Sequence, residues 1–284
     1  MMTPAIADNN TLQEWRATAR FWTKHSDTIR TMFAPLTKAL IRDAGIGEGQ
    51  TVLDVAGGAG EPSLTIAERV GPAGTVTCTD AVAEMVLAAE SEAHRRGLTN
   101  ITFRQCMADS LPFESNSFDT VVCRLGVMFF PDPLAALREM MRVAKPDGSI
   151  SLAVWHKNEL NPFTYIVTDV MSRYVESPPA DADAPNAFRF AESGKLASIL
   201  SLAGAGDVHE RVFRFQMEAP ISPSEYWDMR SETSDTLREK LAKLSADQAL
   251  RVKQEVKEAV GEFFPNCQMN FPAQMIIVTG KKSE

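Results

Sequence analysis

The chain has few of the features that mark a secreted, membrane-bound or nucleic-acid-binding protein. Only four of its 284 residues are cysteine, and no two of them form a C-x-x-C pair, which disfavours a disulfide framework or a soft-metal site. No apolar run approaches the roughly 20 residues that a membrane helix needs, and no basic segment precedes an apolar stretch at the N-terminus. The 29 Lys and Arg against 37 Asp and Glu give a net charge of −8, which repels phosphate backbones. We therefore expect a cytoplasmic protein without membrane insertion, nucleic-acid partner or bound metal.

Short β-branched runs alternate with helical patterns from residue 51 onward. This alternation is typical of βαβ units on a parallel sheet. The sequence predicts strands at 51–55, 75–79, 101–106, 118–124, 149–155, 208–217 and 274–279, with a turn at 145–148. We therefore predict an α/β protein: a Rossmann-like, three-layer α/β/α sandwich with a mostly parallel, seven-stranded sheet.

Segments outside this alternation are predicted to form lids. Residues 1–45 are expected to form two or three short helices, with Pro35 interrupting the pattern, and to act as a partial lid. Residues 46–284 form the main domain, with insertions at 157–189 and 221–264. The first insertion contains a Pro- and Asp-rich segment, 177–185, expected to be an exposed loop. The second is largely helical and begins one helix with a capping box.

The most informative segment is the glycine-rich turn that follows the first strand. Glycine permits a positive φ and a close ligand approach, and the following helix N-terminus favours an anionic ligand group. Twenty residues after Gly60, Asp80 closes the second strand, where a carboxylate can accept hydrogen bonds from both ribose hydroxyls. A dinucleotide fingerprint, G-x-G-x-x-G, would end at Ser63. The sequence therefore predicts a nucleotide-like cofactor and disfavours nicotinamide or flavin dinucleotides.

Four ordered blocks lie between residues 45 and 156: VLDVAGGAG, TCTDAVAEM, ADSLPFESNSFDTVVCRLGV and REMMRVAKPDGSISLAVW. They resemble the motifs of class I S-adenosylmethionine-dependent methyltransferases, specifically the branch that contains the UbiE/COQ5 quinone C-methyltransferases. The first block is similar to that family's glycine motif, including its alanine in place of the first glycine. The insertions depart from the quinone enzymes and look more like those of small-molecule O- and N-methyltransferases.

The resemblance implies S-adenosyl-L-methionine as cofactor and assigns residues to its parts. The methionine portion would be surrounded by residues of the first motif, namely Asp54, Ala56, Gly58 and Gly60. Asp80 would hold the ribose, with Ala81 also contacting the cofactor. The adenine would lie near Met85 and Ala108 and donate a hydrogen bond to Asp109, and Arg124 and Leu125 would border the methionine end and the substrate.

The predicted chemistry is methyl transfer to an O, N or C nucleophile of a small molecule. Because the sulfonium is already a strong electrophile, alignment of the nucleophile can supply much of the rate. If a base is needed, His156, at the C-terminal edge of the sheet, and His25, in the N-terminal segment, are the candidate catalytic residues. Asn158, Tyr226 and Trp227 are weaker candidates for acceptor contacts.

Three functions remain open at this point. A secondary-metabolite-like acceptor is favoured, C-methylation of a quinone ring is the first alternative, and a non-catalytic S-adenosylmethionine-binding protein is the second. The predicted partner is a small-molecule acceptor, and a homodimer is compatible with the sequence.

Overall fold

The computed structural model describes residues 4–176, 181 and 183–283, and for residues 4–10 it describes the backbone only. Its centre is one seven-stranded sheet in the order β3-β2-β1-β4-β5-β7-β6. The strands are β1 Thr51–Val55, β2 Thr75–Asp80, β3 Ile101–Gln105, β4 Phe118–Arg124, β5 Ala144–Trp155, β6 Ala205–Ala219 and β7 Met269–Lys282. Strand β7 runs antiparallel to both neighbours, and the other pairs are parallel. The predicted α/β, Rossmann-like fold is confirmed.

Ten α-helices lie in the described part of the chain. They are α1 Pro4–Lys24, α2 Ser26–Asp43, α3 Ser63–Val70, α4 Ala83–Arg95, α5 Pro133–Val143, α6 Pro162–Ser172, α7 Lys195–Leu202, α8 Pro223–Thr233, α9 Asp235–Ala242 and α10 Ala246–Ala259. Their apolar faces bury against the sheet or each other, as in α5, where Leu137 and Met140 are fully buried. None of these described helices combines the length and the apolar character needed to span a bilayer.

The N-terminal segment differs from the prediction of two or three short helices. It forms two helices of 21 and 18 residues, and Pro35 lies inside the second instead of ending it. A proline inside a helix costs about 3 kcal/mol. The neighbouring Leu36 and Leu40 are fully buried, and each such burial contributes roughly 1.5 to 3 kcal/mol. Packing of α2 on the sheet therefore outweighs the lost backbone hydrogen bond.

The turn predicted at residues 145–148 is instead part of strand β5. The register between β4 and β5 shifts between Phe118 and Thr120, and Asp147 has a positive φ of 61°. A Cβ at Gly148 would lie 2.7 Å from the carbonyl oxygen of Lys145. The four residues thus form a bulge within the strand. Their turn-favouring residue types indicate the break in regular pairing, but not that pairing with β4 resumes at Ser149.

The insertions supply α6 and α8 to α10, although residues 177–180 and 182 of the predicted exposed loop lie outside the described residues. The capping box predicted at the start of α10 is present, with Ser245 and Gln248 each bonding the other's backbone. Tyr226 of α8 is fully buried and donates a hydrogen bond of 2.6 Å to the carbonyl oxygen of Phe163. It packs with Phe264 and Phe271. The insertions are therefore packed extensions of the main core.

The strand order reverses direction between β1 and β4, so the chain leaves these two strands on opposite sides. In open α/β sheets, such a switch point opens a crevice at the C-terminal ends of the strands. Helices α1 and α2 lie near the same edge, because Trp15, Trp22 and Phe33 line the space above β1 and β4.

Candidate functional site

The glycine-rich turn after β1 is held open by backbone hydrogen bonds to β2. The Gly57 amide donates to the carbonyl oxygen of Thr79 at 2.8 Å, and the Gly58 amide donates to Asp80 Oδ2 at 2.9 Å. Gly58 has a φ of +57°, and a Cβ built there would meet no atom within 4 Å. The turn therefore leaves empty space where a side chain would be, in the left-handed conformation that glycine adopts without strain.

Asp80 ends β2 with its carboxylate at the floor of that space. Its Oδ1 accepts a hydrogen bond from the Val82 amide at 2.9 Å, and its Oδ2 accepts one from Gly58. Burial raises the pKa of this carboxyl, while the backbone donors lower it. Since a carboxylate oxygen can accept two hydrogen bonds, each oxygen retains a lone pair for a hydroxyl group.

Asp54 lies beneath the turn and not on its open side. It is fully buried, and its Oδ2 accepts a hydrogen bond of 2.5 Å from the Ser63 hydroxyl. Its Oδ1 is buried without a partner among the described residues, and burial raises its pKa to about 7. Gly60 also lies against the protein interior, since a Cβ added there would be 2.7 Å from Leu64 Cδ1. These two predicted residues support the turn from behind.

The far side of the cleft is formed by the segment after β3. Ala108 and Asp109 line it opposite Met85 of α4. The Asp109 carboxylate makes no hydrogen bond or ion pair within the described chain. An unpartnered acceptor beside apolar walls suits a ligand with a flat ring and an exocyclic donor.

Arg124, at the end of β4, ties α2 to the glycine-rich turn. Its Nη1 donates to Thr37 Oγ1 at 2.7 Å, and its Nη2 donates to the carbonyl oxygen of Glu61 at 2.9 Å. Its guanidinium lies 5.4 Å from the ring centre of Phe33, its Nε has no partner in the described structure, and burial lowers its pKa. The next residue, Leu125, has a φ of +61°, a conformation that costs a bulky residue about 1 to 3 kcal/mol. Such strain is typical of residues that form a site.

These residues enclose a first cavity, called here the glycine-loop cavity, with an empty volume of about 1350 Å³. Nine of the predicted cofactor residues line it: Ala56, Gly58, Asp80, Ala81, Met85, Ala108, Asp109, Arg124 and Leu125. Four acidic residues line it with one arginine: Glu61, Asp80, Asp109 and Asp132, with Arg124. The Glu61 carboxylate is paired with Arg96 at 2.8 Å, whereas the other three have no ion pair among the described residues. The cavity is therefore acidic.

A second cavity, the aromatic cavity, has an empty volume of about 1640 Å³ and joins the first along a shared wall. The residues common to both are Thr11, Trp15, Trp22, Ile29, Phe33, Leu125 and Phe129. Most of the remaining lining comes from β5, α6, α8, α9 and the segment 185–188, including Trp155, Phe163 and Phe188, and the rest includes Glu14, Thr18, Met32 and Met128. Ligands in the two cavities would therefore pack against the same seven side chains.

The structure places neither candidate catalytic histidine among the described residues that line the two cavities. His25 Nε2 lies 2.6 Å from Glu232 Oε2, to which Lys24 also binds. His156 Nδ1 lies 2.7 Å from the carbonyl oxygen of Ala191. Both histidines thus have structural partners, and their catalytic role stays a prediction without support from this geometry.

The weaker candidates are also engaged elsewhere. Tyr226 and Trp227 are buried in the core and are not among the lining residues. Asn158 bonds Thr164 and Thr168 of α6. The expectation of acceptor contacts from Tyr226 and Trp227 is therefore not met, because their face of α8 packs inward while Met229 and Arg230 face the cavity.

Several lining residues were missed by the sequence reasoning. In the glycine-loop cavity they include Val82, Cys106, Met107, Gly126 and Phe130. Each lies within six positions of the end of β2, β3 or β4, and these ends were predicted to within one residue, so adjacency alone could have found them. The residues of α8 and α9 carried no comparable signal, since they reach the aromatic cavity only through tertiary packing.

Comparison with known proteins agrees with this site. The profile of the ubiE/COQ5 methyltransferase family matches residues 34–172. An uncharacterized protein of Mycobacterium tuberculosis is 41% identical over 124 residues, which are 44% of this chain and 44% of that protein. The nocamycin O-methyltransferase of Saccharothrix syringae is 30% identical over 197 residues, 66% of this chain and 70% of that enzyme. The YcgJ protein of Bacillus subtilis shares the fold, with a TM-score of 0.57 and 23% identity over 87% of this chain and 98% of that chain.

The chain belongs to the S-adenosylmethionine-dependent methyltransferases, as its coverage of the nocamycin O-methyltransferase shows, and its residues 34–172 match the ubiE/COQ5 family. The resemblance inferred from the four sequence blocks is thereby confirmed, and S-adenosyl-L-methionine is the cofactor of this class. The chain spans less than half the length of the M. tuberculosis relative that it matches, 44% of it.

Proposed function

We propose that this protein transfers the methyl group of S-adenosyl-L-methionine to an O, N or C nucleophile of a small molecule, with a secondary-metabolite-like acceptor favoured. The observation that carries the proposal is the wall shared by the two cavities, formed in part by Leu125, Phe129 and Trp22. Transfer requires cofactor and acceptor to meet in a closed, dry space. Because the two cavities share these lining residues, a cofactor in one and an acceptor in the other would lie next to each other.

The residues of the glycine-loop cavity fit this cofactor. Asp80 would accept hydrogen bonds from the ribose hydroxyls, and Ala81 would border them. Met85 and Ala108 would pack on the adenine, and the unpartnered Asp109 would accept a hydrogen bond from its amino group. Ala56, Gly58, Arg124 and Leu125 would surround the methionine portion, with Asp54 and Gly60 fixing the turn from behind.

The charge of the lining favours this cofactor over a dinucleotide. S-adenosylmethionine carries a sulfonium and an ammonium against one carboxylate, so its net charge is positive, whereas a dinucleotide brings two phosphates. Three lining carboxylates without an ion pair among the described residues, namely those of Asp80, Asp109 and Asp132, outnumber Arg124 and so attract the first and repel the second. Once the methyl group has left, the product is a neutral thioether, so the same charges also favour exchange of product for new cofactor.

The cofactor supplies an electrophilic methyl group, and the protein's residues supply position. The aromatic residues of the shared wall exclude water and orient the acceptor toward the methionine end. Alignment of this kind contributes up to roughly 7 to 11 kcal/mol of the barrier. His25 and His156 stay candidate catalytic residues that would need a rearrangement to reach an acceptor.

We also propose that the described helices of residues 1–45 form a partial lid over the cofactor cleft of the main domain 46–284, whose insertions are residues 157–189 and 221–264. Helix α1 reaches α4 through an ion pair of 3.5 Å between Arg16 and Glu84. It reaches α8 through Lys24, whose Nζ lies 2.8 Å from the Glu232 carboxylate. Exposed pairs of this type contribute at most about 1 kcal/mol each, so opening of α1 would mainly have to break its apolar contacts, such as those of Ala19 with Val82 and Met85.

Two alternatives remain distinct from this proposal. C-methylation of a quinone ring is supported by the family profile over residues 34–172 and by an aromatic cavity that suits a planar ring. A binding protein without turnover would use the glycine-loop cavity alone, and the large aromatic cavity speaks against it. The net charge of −8 supports a small-molecule acceptor over nucleic acid. We also propose a cytoplasmic location, and a homodimer is compatible with this proposal.

The test begins with calorimetric titration of the purified chain with S-adenosylhomocysteine and, separately, with NAD. We expect saturable, one-to-one binding of the first and none of the second. The chain is then incubated with S-adenosylmethionine bearing a CD₃ group and a small-molecule extract. Mass spectrometry should reveal acceptors that gain 17 mass units relative to a matched incubation with Asp109→Ala. Cofactor binding without any labelled product would favour the non-catalytic alternative.

A further inference from the structure

Arg230 is a cation in the wall of the aromatic cavity. It lies on α8 one turn after Tyr226, and its guanidinium carbon is 4.9 Å from the ring centre of Phe163. The guanidinium also interacts with the Tyr226 hydroxyl, which itself donates to the carbonyl oxygen of Phe163. These contacts fix the side chain in one place on the cavity wall.

Arg230 has no anionic partner among the described residues, although its guanidinium is buried. No carboxylate of the described residues pairs with it, and Tyr226 is its only polar side-chain partner. Its Nε is buried and makes no hydrogen bond within the same residues. Burial lowers the pKa of the guanidinium, which nonetheless stays protonated at any physiological pH. A desolvated, unpaired charge is costly to keep and is therefore a marker of function.

The other charged groups of the cavity lie on α1 and α9. Asp235 pairs with Arg238 at 2.9 Å, and it forms an acidic group with Glu14 and Glu239. Burial and these two neighbours raise the pKa of Glu14. Lys240 is the second cation of the lining. The acidic group is thus separate from Arg230, which faces the apolar part of the cavity formed by α6 and α8.

We propose that Arg230 binds an anionic oxygen of the methyl acceptor, so that the acceptor is an aromatic compound bearing a carboxylate or an ionised acidic hydroxyl. The inference rests on the function proposed above. The rings of Trp155, Phe163 and Phe188 would hold the aromatic body, and the guanidinium would hold the charge with charge-assisted hydrogen bonds. Arg230 lines only the aromatic cavity and not the glycine-loop cavity. It therefore acts as a specificity residue at a distance from the transferred methyl group.

The test uses 2-naphthoate as an anionic probe and 2-naphthamide as its neutral isostere, each titrated into the chain saturated with S-adenosylhomocysteine. Binding is followed by tryptophan fluorescence, because Trp15, Trp22 and Trp155 line the cavity. We expect naphthoate to bind on the order of tenfold more tightly, the ratio that one charge-assisted hydrogen bond supplies. Arg230→Gln should abolish this preference. The matched control, Lys240→Gln, removes the other lining cation and should keep it.

An equal affinity of the wild-type chain for both probes would overturn the proposal, and this comparison does not depend on the folding of any variant. A preference that survives in a folded Arg230→Gln would also overturn it, as would an equal loss in Lys240→Gln. The titration with S-adenosylhomocysteine separates the two proposals. If S-adenosylhomocysteine fails to bind, the proposed function fails; if it binds and naphthoate shows no preference, only the role of Arg230 fails.

Discussion

Replacement of Gly58 by alanine separates the cofactor-binding role of the glycine-rich turn from its structural role. A Cβ at this position meets no protein atom within 4 Å, so the fold itself can accommodate the methyl group. The φ of +57° costs alanine roughly 1 to 2 kcal/mol. Part of this cost is offset because alanine restricts the unfolded chain, by about 0.4 to 1 kcal/mol. We therefore expect a loss of about 1 kcal/mol in the free energy of unfolding.

The effect on cofactor binding should be larger, because the added methyl group occupies cavity space that the cofactor would fill. Steric overlap with a well-fitted group costs about 1 to 3 kcal/mol, which corresponds to roughly a tenfold to hundredfold increase in Kd. Calorimetric titration with S-adenosylhomocysteine measures this, and urea unfolding measures stability.

The matched control is Gly97→Ala. Gly97 has a φ of +69° and also has no neighbour within 4 Å of a built Cβ, but it follows α4 at the opposite edge of the sheet. It should lose the same stability and keep full affinity. An unchanged Kd in Gly58→Ala, or an equal loss of affinity in Gly97→Ala, would refute the assignment of this turn to the cofactor.

Three further substitutions test other parts of the site. Asp80→Asn removes the charge that faces the ribose, so calorimetry should show a Kd for S-adenosylhomocysteine raised by about tenfold or more; native affinity in a folded variant would contradict the ribose assignment. Asp54 has a pKa of about 7 in the folded chain, and its pKa in the unfolded chain is about 3.9. The folded state therefore holds a proton that the unfolded state loses between about pH 4 and 7, and stability should fall as the pH rises through that window, by at most roughly 4 kcal/mol. Urea unfolding at pH 5 and pH 8 should show this fall in the wild-type chain and a smaller one in Asp54→Asn. If the free energy of unfolding falls equally in both proteins, the pKa of Asp54 is not raised by folding. Tyr226→Phe removes the 2.6 Å hydrogen bond to Phe163 and should cost about 1 to 3 kcal/mol of stability with no change in cofactor affinity; a selective loss of affinity instead would return Tyr226 to the binding site.

The parts of the molecule closest to the sheet could be predicted from the sequence. Strand β1 and strand β4 have the predicted bounds, because a buried parallel strand is a short, nearly continuous apolar run. The residues at strand ends, such as Asp80 and Asp109, then meet at one edge for topological reasons. The strands together with the family resemblance therefore identified nine of the residues that line the glycine-loop cavity.

The aromatic cavity could not be predicted in the same way. Which face of α8 meets the cavity depends on how α6, α8 and α10 pack together, and Tyr226 and Arg230 differ in role although one helical turn separates them. His25 was assigned by its position along the chain, but its ring is turned toward Glu232 of a distant helix. Pro35 was read as a helix end because local propensity favours that, and tertiary burial of Leu36 and Leu40 decided otherwise.

The most direct test of the proposed function is a crystal structure of the chain with S-adenosylhomocysteine. The adenine should lie between Met85 and Ala108 with its amino group on Asp109, and the ribose hydroxyls should bond Asp80. The sulfur should face Leu125 and the opening into the aromatic cavity. A ligand bound elsewhere, or one whose sulfur points away from that cavity, would contradict a methyl transfer across the shared wall.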